Sequence, residues 1–357
     1  MCDGHDDGLH AVAQVAPRRT HQDAEETTDR VFLEPVDAVT VTVLVDNVAD
    51  MLLLDQGPAK RVNLGGGKMP MLPVATSLEG SGVDALRAEH GLSFLLTVER
   101  GDRVRRFLFD TGVTPDGMIE NMRRLDLDPA DVDVIVLSHG HFDHVTGLDG
   151  FIRAVGRPNL PVIVHPDLWL QRRIAIPGRD PFEMPTPSLR ALEDAGFEII
   201  ERRRPSLLFE ESVLVTGEVD RTTSFEQGFL LHQALRDGEW QPDPLILDDQ
   251  AMILHVRGKG LVVLTGCGHA GIVNIARYAQ RLTGVEEIYA LIGGFHLSGP
   301  LFEPVIAPTC AAIAELDPTV IVPAHCTGWR ATHAVAAQFP DAFIANSVGT
   351  RFALCAD

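Results

Sequence analysis

The run VIVLSHGHFDH, residues 134–144, carries an apolar stretch directly into three histidines and an aspartate. His139, His141, Asp143 and His144 fall within six consecutive positions. Burying so many polar groups is unfavourable unless something binds them. On a tight turn this spacing can direct two imidazoles at one metal and an Asp/His pair at a neighbour. Imidazole and carboxylate ligands suit Zn first, with Fe and Mn as alternatives. Two such divalent ions side by side activate water and clamp a leaving oxygen. The plainer reading, a polar loop with unrelated histidines, does not explain the density of donors.

Elements elsewhere end in the same way. FLFDTG runs into Asp110, KGLVVLTGCGH into His269, EEIYALIGGFH into His296, and TVIVPAHCTG into His325. Ligands of open α/β sheets collect at the carboxyl ends of strands, so these residues are expected to converge. Residues 38–47 read as an alternating strand, and 91–99 and 104–112 as a hairpin joined by RGDR. Helical spacing covers 118–127, AGIVNIARYAQRLTG and TCAAIAELDP, while AMILHV pairs with KGLVVL as a second hairpin. The Gly/Pro-rich stretch 55–83 and the region 165–230 read as insertions of loops and short strands that cover the site. Residues 1–37, acidic and without periodicity, read as a mobile arm ahead of one domain over 38–357.

With 45% hydrophobic and 22% charged residues, the 357-residue chain has the composition of a packed soluble protein. No apolar run reaches the roughly 18 residues that span a bilayer, and the acidic N-terminus lacks the apolar segment of a secretory signal. A cytoplasmic location is expected, with no membrane partner. The five cysteines are odd in number and scattered, so no disulfide framework is expected. A formal charge of −20 disfavours a nucleic-acid partner and leaves a small molecule as the expected substrate. Nothing in the sequence fixes the oligomeric state.

SHGHFDH resembles the HxHxDH signature of the metallo-β-lactamase superfamily, whose fold is an α+β, four-layer αββα sandwich. LVDN, EHGLSFLL, LFDTG, SHGHFDH, TGCGHAGIVNI, LIGGFHL and PAHCTG resemble, in order, the branch containing the archaeal dihydropterin–ribofuranosylaminobenzene phosphate synthases. The resemblance spans about residues 39–330. It implies that His139, His141 and His269 hold a first metal, and that Asp143, His144 and His325 hold a second. It places Asp110 behind the ligands as a support. Many members of the superfamily carry a bridging aspartate in a TGD turn. Here that turn reads TGCG, with Cys267 in its place, so a thiolate ligand and a small buried residue both remain open.

The resemblance implies a metal-dependent hydrolase or transferase acting on a small phosphorylated or pterin-like molecule, hydrolysis being the preferred reading. Asp143 and His296 are the candidate catalytic residues. In the synthase case the metals would instead assist departure of diphosphate while an arylamine attacks. Asp46, Asn47, Glu89, His90 and Ser93 occur in branch-like stretches and are expected at the site entrance; their plainer role is turn chemistry. A regulator that kept the fold is disfavoured by the full ligand set. A diiron oxidoreductase is disfavoured because no flavodoxin-like partner domain follows Asp357. His165 is expected in a turn; His232, His255 and His333 are expected to be ordinary, and His5, His10 and His21 belong to the arm. NLGGGK lacks the spacing of a phosphate loop, and Arg202 to Arg204 read as a solvated face.

Overall fold

Alternation along the strands is apolar on both faces, which a sheet shows when it is covered on both sides. In the strand Ser93–Arg100, Phe94, Leu96 and Val98 point one way and Leu95 the other. In Gly260–Thr265, Val262 and Leu264 oppose Leu261 and Val263. The structure is a computed structural model and describes residues 30–62, 71–74, 78–156 and 159–356.

These strands build two large sheets. The first has eight strands, in the order Glu198–Glu201, Pro161–Val164, Val134–Val136, Arg103–Phe109, Ser93–Arg100, Ala38–Val45, Arg351–Cys355 and Ala59–Lys60. The second has six: Ser206–Leu208, Val213–Val215, Ala251–Val256, Gly260–Thr265, Ile288–Gly294 and Val320–Ala324. Val41, Phe94 and Phe109 of the first pack against Met252, Leu264 and Ile292 of the second in one shared core. Outside the first sheet, Met118, Met122 and Phe151 bring in the helices Gly117–Arg124 and Leu148–Val155. Outside the second, Ile275, Ile313 and Val335 bring in Ile272–Thr283, Ile306–Leu316 and Trp329–Gln338. Three cores between four layers make the αββα sandwich that was expected.

The expected hairpins and the helices at 117–124, 272–283 and 306–316 are present. Two expectations need correction. The arm assigned to 1–37 is bound over its last residues: Val31 and Val36 donate backbone hydrogen bonds to Leu282 and His255, and Leu33 and Val36 are buried. Residues 1–29 lie outside the described residues. The 165–230 region is more than a cover. Glu198–Glu201 forms an edge of the first sheet and Ser206–Leu208 an edge of the second. Arg172–Ile174 joins His232–Arg236, Glu239–Pro242 and Phe182–Glu183 in a small four-stranded sheet. The strand Arg351–Cys355, not anticipated, closes beside Ala38–Val45.

Among the described residues, no helix is long and apolar enough to cross a membrane. Cys267, Cys310, Cys326 and Cys355 are all free.

Candidate metal centre

Parallel pairing brings the ends of Arg103–Phe109 and Val134–Val136 together in one sheet, and those of Gly260–Thr265, Ile288–Gly294 and Val320–Ala324 together in the other. Asp110, His139, Cys267, His296 and His325 therefore all follow carboxyl ends of strands. Asp110, His296 and His325 adopt left-handed backbone conformations (φ 57°, 46° and 48°). Non-glycine residues take this conformation seldom, and surrounding structure must enforce it.

Two groups of donors meet there. His139 Nε2 lies 3.0 Å from His141 Nδ1, and His269 Nε2 lies 3.3 Å from the same atom. Ligand nitrogens of a tetrahedral ion with bonds of about 2.0–2.1 Å stand roughly 3.3–3.4 Å apart, close to both distances measured from His141 Nδ1, and the ligand atoms of His139 and His269 lie within 4.8 Å of each other. In the second group, Asp143, His144, Cys267 and His325 offer ligand atoms that all lie within 4.8 Å of one another. His144 Nε2 is 3.1 Å from Cys267 Sγ, and His325 Nε2 is 3.3 Å from Asp143 Oδ2. His325 Nε2 is buried without a hydrogen bond, an arrangement that a bound cation would relieve. Cys267 also stands with His139 and His269, so it is shared by both groups.

Asp110 organises both groups. Its Oδ1 accepts from the Ser138 backbone N–H at 2.7 Å, and its Oδ2 accepts from Ser138 Oγ and His144 Nδ1, each at 2.7 Å. Since the Ser138 hydroxyl proton goes to Asp110, its oxygen is free to accept from His139 Nδ1 at 2.9 Å. One carboxylate thus leaves Nε2 as the ligand atom of both His139 and His144. Gly266 lacks a side chain where a Cβ would collide with Ser138 Oγ, which keeps the TGCG turn against this network.

Electrostatics divide the site. Burial, then the neighbouring histidines and Arg172, hold His139 and His141 well below the usual imidazole range; burial and the other histidines do the same to His269. Neutral rings are ready ligands. Burial also pushes His144 down, but Asp110 and Asp143 outweigh it and carry its pKa to about 9. Burial raises the Asp143 carboxyl, yet His144, His325 and His90 bring it below the usual carboxylate range. This corner favours positive charge, supplied by a proton or by a metal ion.

Other expected residues fall into three places. His296 lies beside His269, ring centroids 4.1 Å apart, and lines a cavity of about 180 Å³ with Phe225, Phe302, Leu297 and Glu226. His90 stands at the rim, its side chain 66% exposed and its Nε2 3.7 Å from Asp143 Oδ2. Of the rest of the entrance set, Asp46 and Ser93 are corrected, while exposed Asn47 and half-buried Glu89 make the loop hydrogen bonds of their plainer role. Asp46 is buried, accepting from the His325 N–H at 2.8 Å and from Asn346, because it anchors the end of a strand. Asn47 donates to the His325 carbonyl at 3.0 Å. Ser93 is buried and donates to the Asp110 carbonyl, and Glu89 accepts from Val113 and Thr114 in a turn. These four shape the ligand loops.

His165 accepts from the Asp167 N–H, as a turn residue would. His232 is not ordinary: it is buried, with Nε2 3.0 Å from His141 Nε2. Asp248, Asp249 and Gln250 were also missed. Asp248 accepts from the Gly140 N–H and from Arg172, while Asp249 accepts from the Ala270 N–H, so adjacent residues brace both ligand loops. Three consecutive polar residues directly before the apolar strand Ala251–Val256 were the available signal.

A sequence profile described as the metallo-β-lactamase superfamily matches residues 90–273. The chain belongs to that superfamily. It is 30% identical, over 263 residues, to the 7,8-dihydropterin-6-methyl-4-(β-D-ribofuranosyl)-aminobenzene-5'-phosphate synthase of Methanocaldococcus jannaschii, covering 72% of this chain and 87% of the relative. An uncharacterized protein of the same organism is 32% identical over 244 residues, 68% of this chain and 86% of that one. Among solved structures, Tm1679, described as a metal-dependent hydrolase of the β-lactamase superfamily, matches with a TM-score of 0.64 at 22% identity. That match covers 89% of this chain and 100% of the other, and supports the superfamily's fold.

Proposed function

We propose that this chain is a metal-dependent enzyme that displaces a leaving group from a small phosphorylated, pterin-like substrate, with water or an aromatic amine as nucleophile. The observation that carries the reading is the pair of donor groups meeting at Cys267 beside the His296 cavity. His139, His141 and His269 would hold one divalent ion and Asp143, His144 and His325 the other, with Zn preferred and Fe or Mn as alternatives. Bound there, the ions supply Lewis acidity to the leaving oxygen and to the nucleophile.

The chain's own side chains supply position and proton handling. His296 presents its imidazole to the cavity and forms an edge-on contact with Phe302, ring centroids 4.4 Å apart. It is placed to move a proton to or from a group held against Phe225 and Phe302. Among the described lining residues there is no Lys or Arg, and Glu226 already accepts from the N–H groups of Val273 and Asn274 at a helix start. The ring of the substrate would therefore enter the cavity, with its phosphate outside toward His90.

The likeness to the archaeal synthase favours the amine as nucleophile; the metal-centre chemistry alone serves water equally well. Metal-loaded protein would be given phosphodiesters and lactones, and separately a pterin diphosphate with and without an arylamine. An amine-containing product establishes a transferase, and a water product establishes a hydrolase. Binding without turnover in every case would overturn the enzymatic reading in favour of a regulator.

A further inference from the structure

His232 comes from the small four-stranded sheet, outside the strand ends that supply the other histidines, and its side chain is fully buried. Its Nδ1 lies 3.0 Å from the Asp243 carbonyl oxygen and 3.4 Å from Asp243 Oδ2. Burial raises the Asp243 carboxyl, but His232, Arg172 and Arg236 outweigh it and keep it ionised. Carbonyl and carboxylate oxygens only accept. In neutral His232 the proton therefore sits on Nδ1, and Nε2 presents a lone pair.

That lone pair faces His141 Nε2 at 3.0 Å. The hydrogen bond requires His141 to carry its single proton on Nε2. Its Nδ1 is then bare, and it is this atom that stands 3.0 Å from His139 Nε2 and 3.3 Å from His269 Nε2. His139 Nε2 is bare for an independent reason, the chain through Ser138 to Asp110. Two lone pairs at 3.0 Å repel unless a cation lies between them. Left to itself, a neutral imidazole can place its proton on either nitrogen, so the choice must come from a neighbour.

We infer that His232, held by Asp243, is the positioning residue that fixes the tautomer of His141 and so aims its Nδ1 at the first metal. Partners that orient a ligand ring in this way typically contribute about 10–100-fold to metal affinity. The inference rests on the metal-centre reading, and zinc uptake by the wild-type chain tests that premise first. Wild-type protein that takes up no zinc overturns the metal centre, and the assignment of His232 falls with it.

With zinc bound, the full-length chain and the variants His232→Leu and His232→Gln would be compared by chelator competition. The Leu variant should bind the first metal about 10–100-fold more weakly. The Gln variant should regain most of that loss, because its amide oxygen can accept from His141 Nε2 as the ring nitrogen does. Equal affinity in all three, or an equal loss in both variants, overturns the inference. Should the Leu variant fail to fold, nitrogen NMR of labelled histidines in the zinc-loaded wild type decides. A His141 ring with its proton on Nε2 and zinc on Nδ1 supports the assignment, and the reverse tautomer overturns it.

Discussion

Asp110 Oδ2 lies 2.7 Å from His144 Nδ1, and both side chains are fully buried. The same oxygen accepts from Ser138 Oγ, which in turn accepts from His139, so one carboxylate reaches both donor groups. Replacing Asp110 by Asn puts an amide where an acceptor of three hydrogen bonds stood. Asn tolerates the left-handed backbone (φ 57°), so the fold should persist. Metal retention should fall about 10–100-fold. Chelator titration beside a melting curve checks this; undiminished retention would reduce Asp110 to a turn residue.

His141→Ala removes one of three nitrogens from the first group. Three protein ligands are about the minimum for an open Zn site, so occupancy there should collapse. Elemental analysis should find at least one metal fewer per chain than in the wild type. An unchanged content would exclude His141 as a ligand.

Cys267 is common to both donor groups, its Sγ 3.1 Å from His144 Nε2. If its thiolate is a ligand, Cys267→Ser should weaken the second metal and shift preference toward harder cations. Cobalt-loaded wild type should then show a sulfur-to-metal charge-transfer absorption that the Ser variant lacks. Identical spectra and stoichiometry would mean the thiol is packing only.

The two sites should respond differently to pH. A metal entering the second group must displace the His144 proton, whose pKa is about 9. Affinity there should rise with pH up to about 9, by as much as tenfold per unit. The first group, whose histidines are held below the usual range, should be nearly flat from about pH 6.5 upward. Chelator competition across pH would separate the two; parallel curves would contradict the division of charge.

Strand ends were legible because strands covered on both faces read as apolar runs, and a polar residue that ends such a run stands out. Asp110, His139, His269, His296 and His325 were all visible on that ground. His232 was not: Phe229, Leu230 and Leu231 precede it, but it opens the short strand His232–Arg236 instead of ending one, and that strand pairs with Arg172–Ile174 in the small sheet rather than with the strands that supply the other histidines. Asp46 and Ser93 were misplaced for a related reason. A polar residue at a strand terminus can face the opening or turn inward to tie backbone, and sequence spacing does not distinguish the two. Asp46 turns inward to the His325 N–H at 2.8 Å.

The central claim is that His139, His141 and His269 hold one metal and Asp143, His144 and His325 another. Anomalous diffraction from crystals of the protein as purified locates each ion and identifies its element. The account predicts two ions, one within bonding distance of the three histidine nitrogens and one beside Asp143, His144 and His325. Ions bound elsewhere, or full occupancy of both positions in a His139→Ala, His144→Ala double variant, would contradict it.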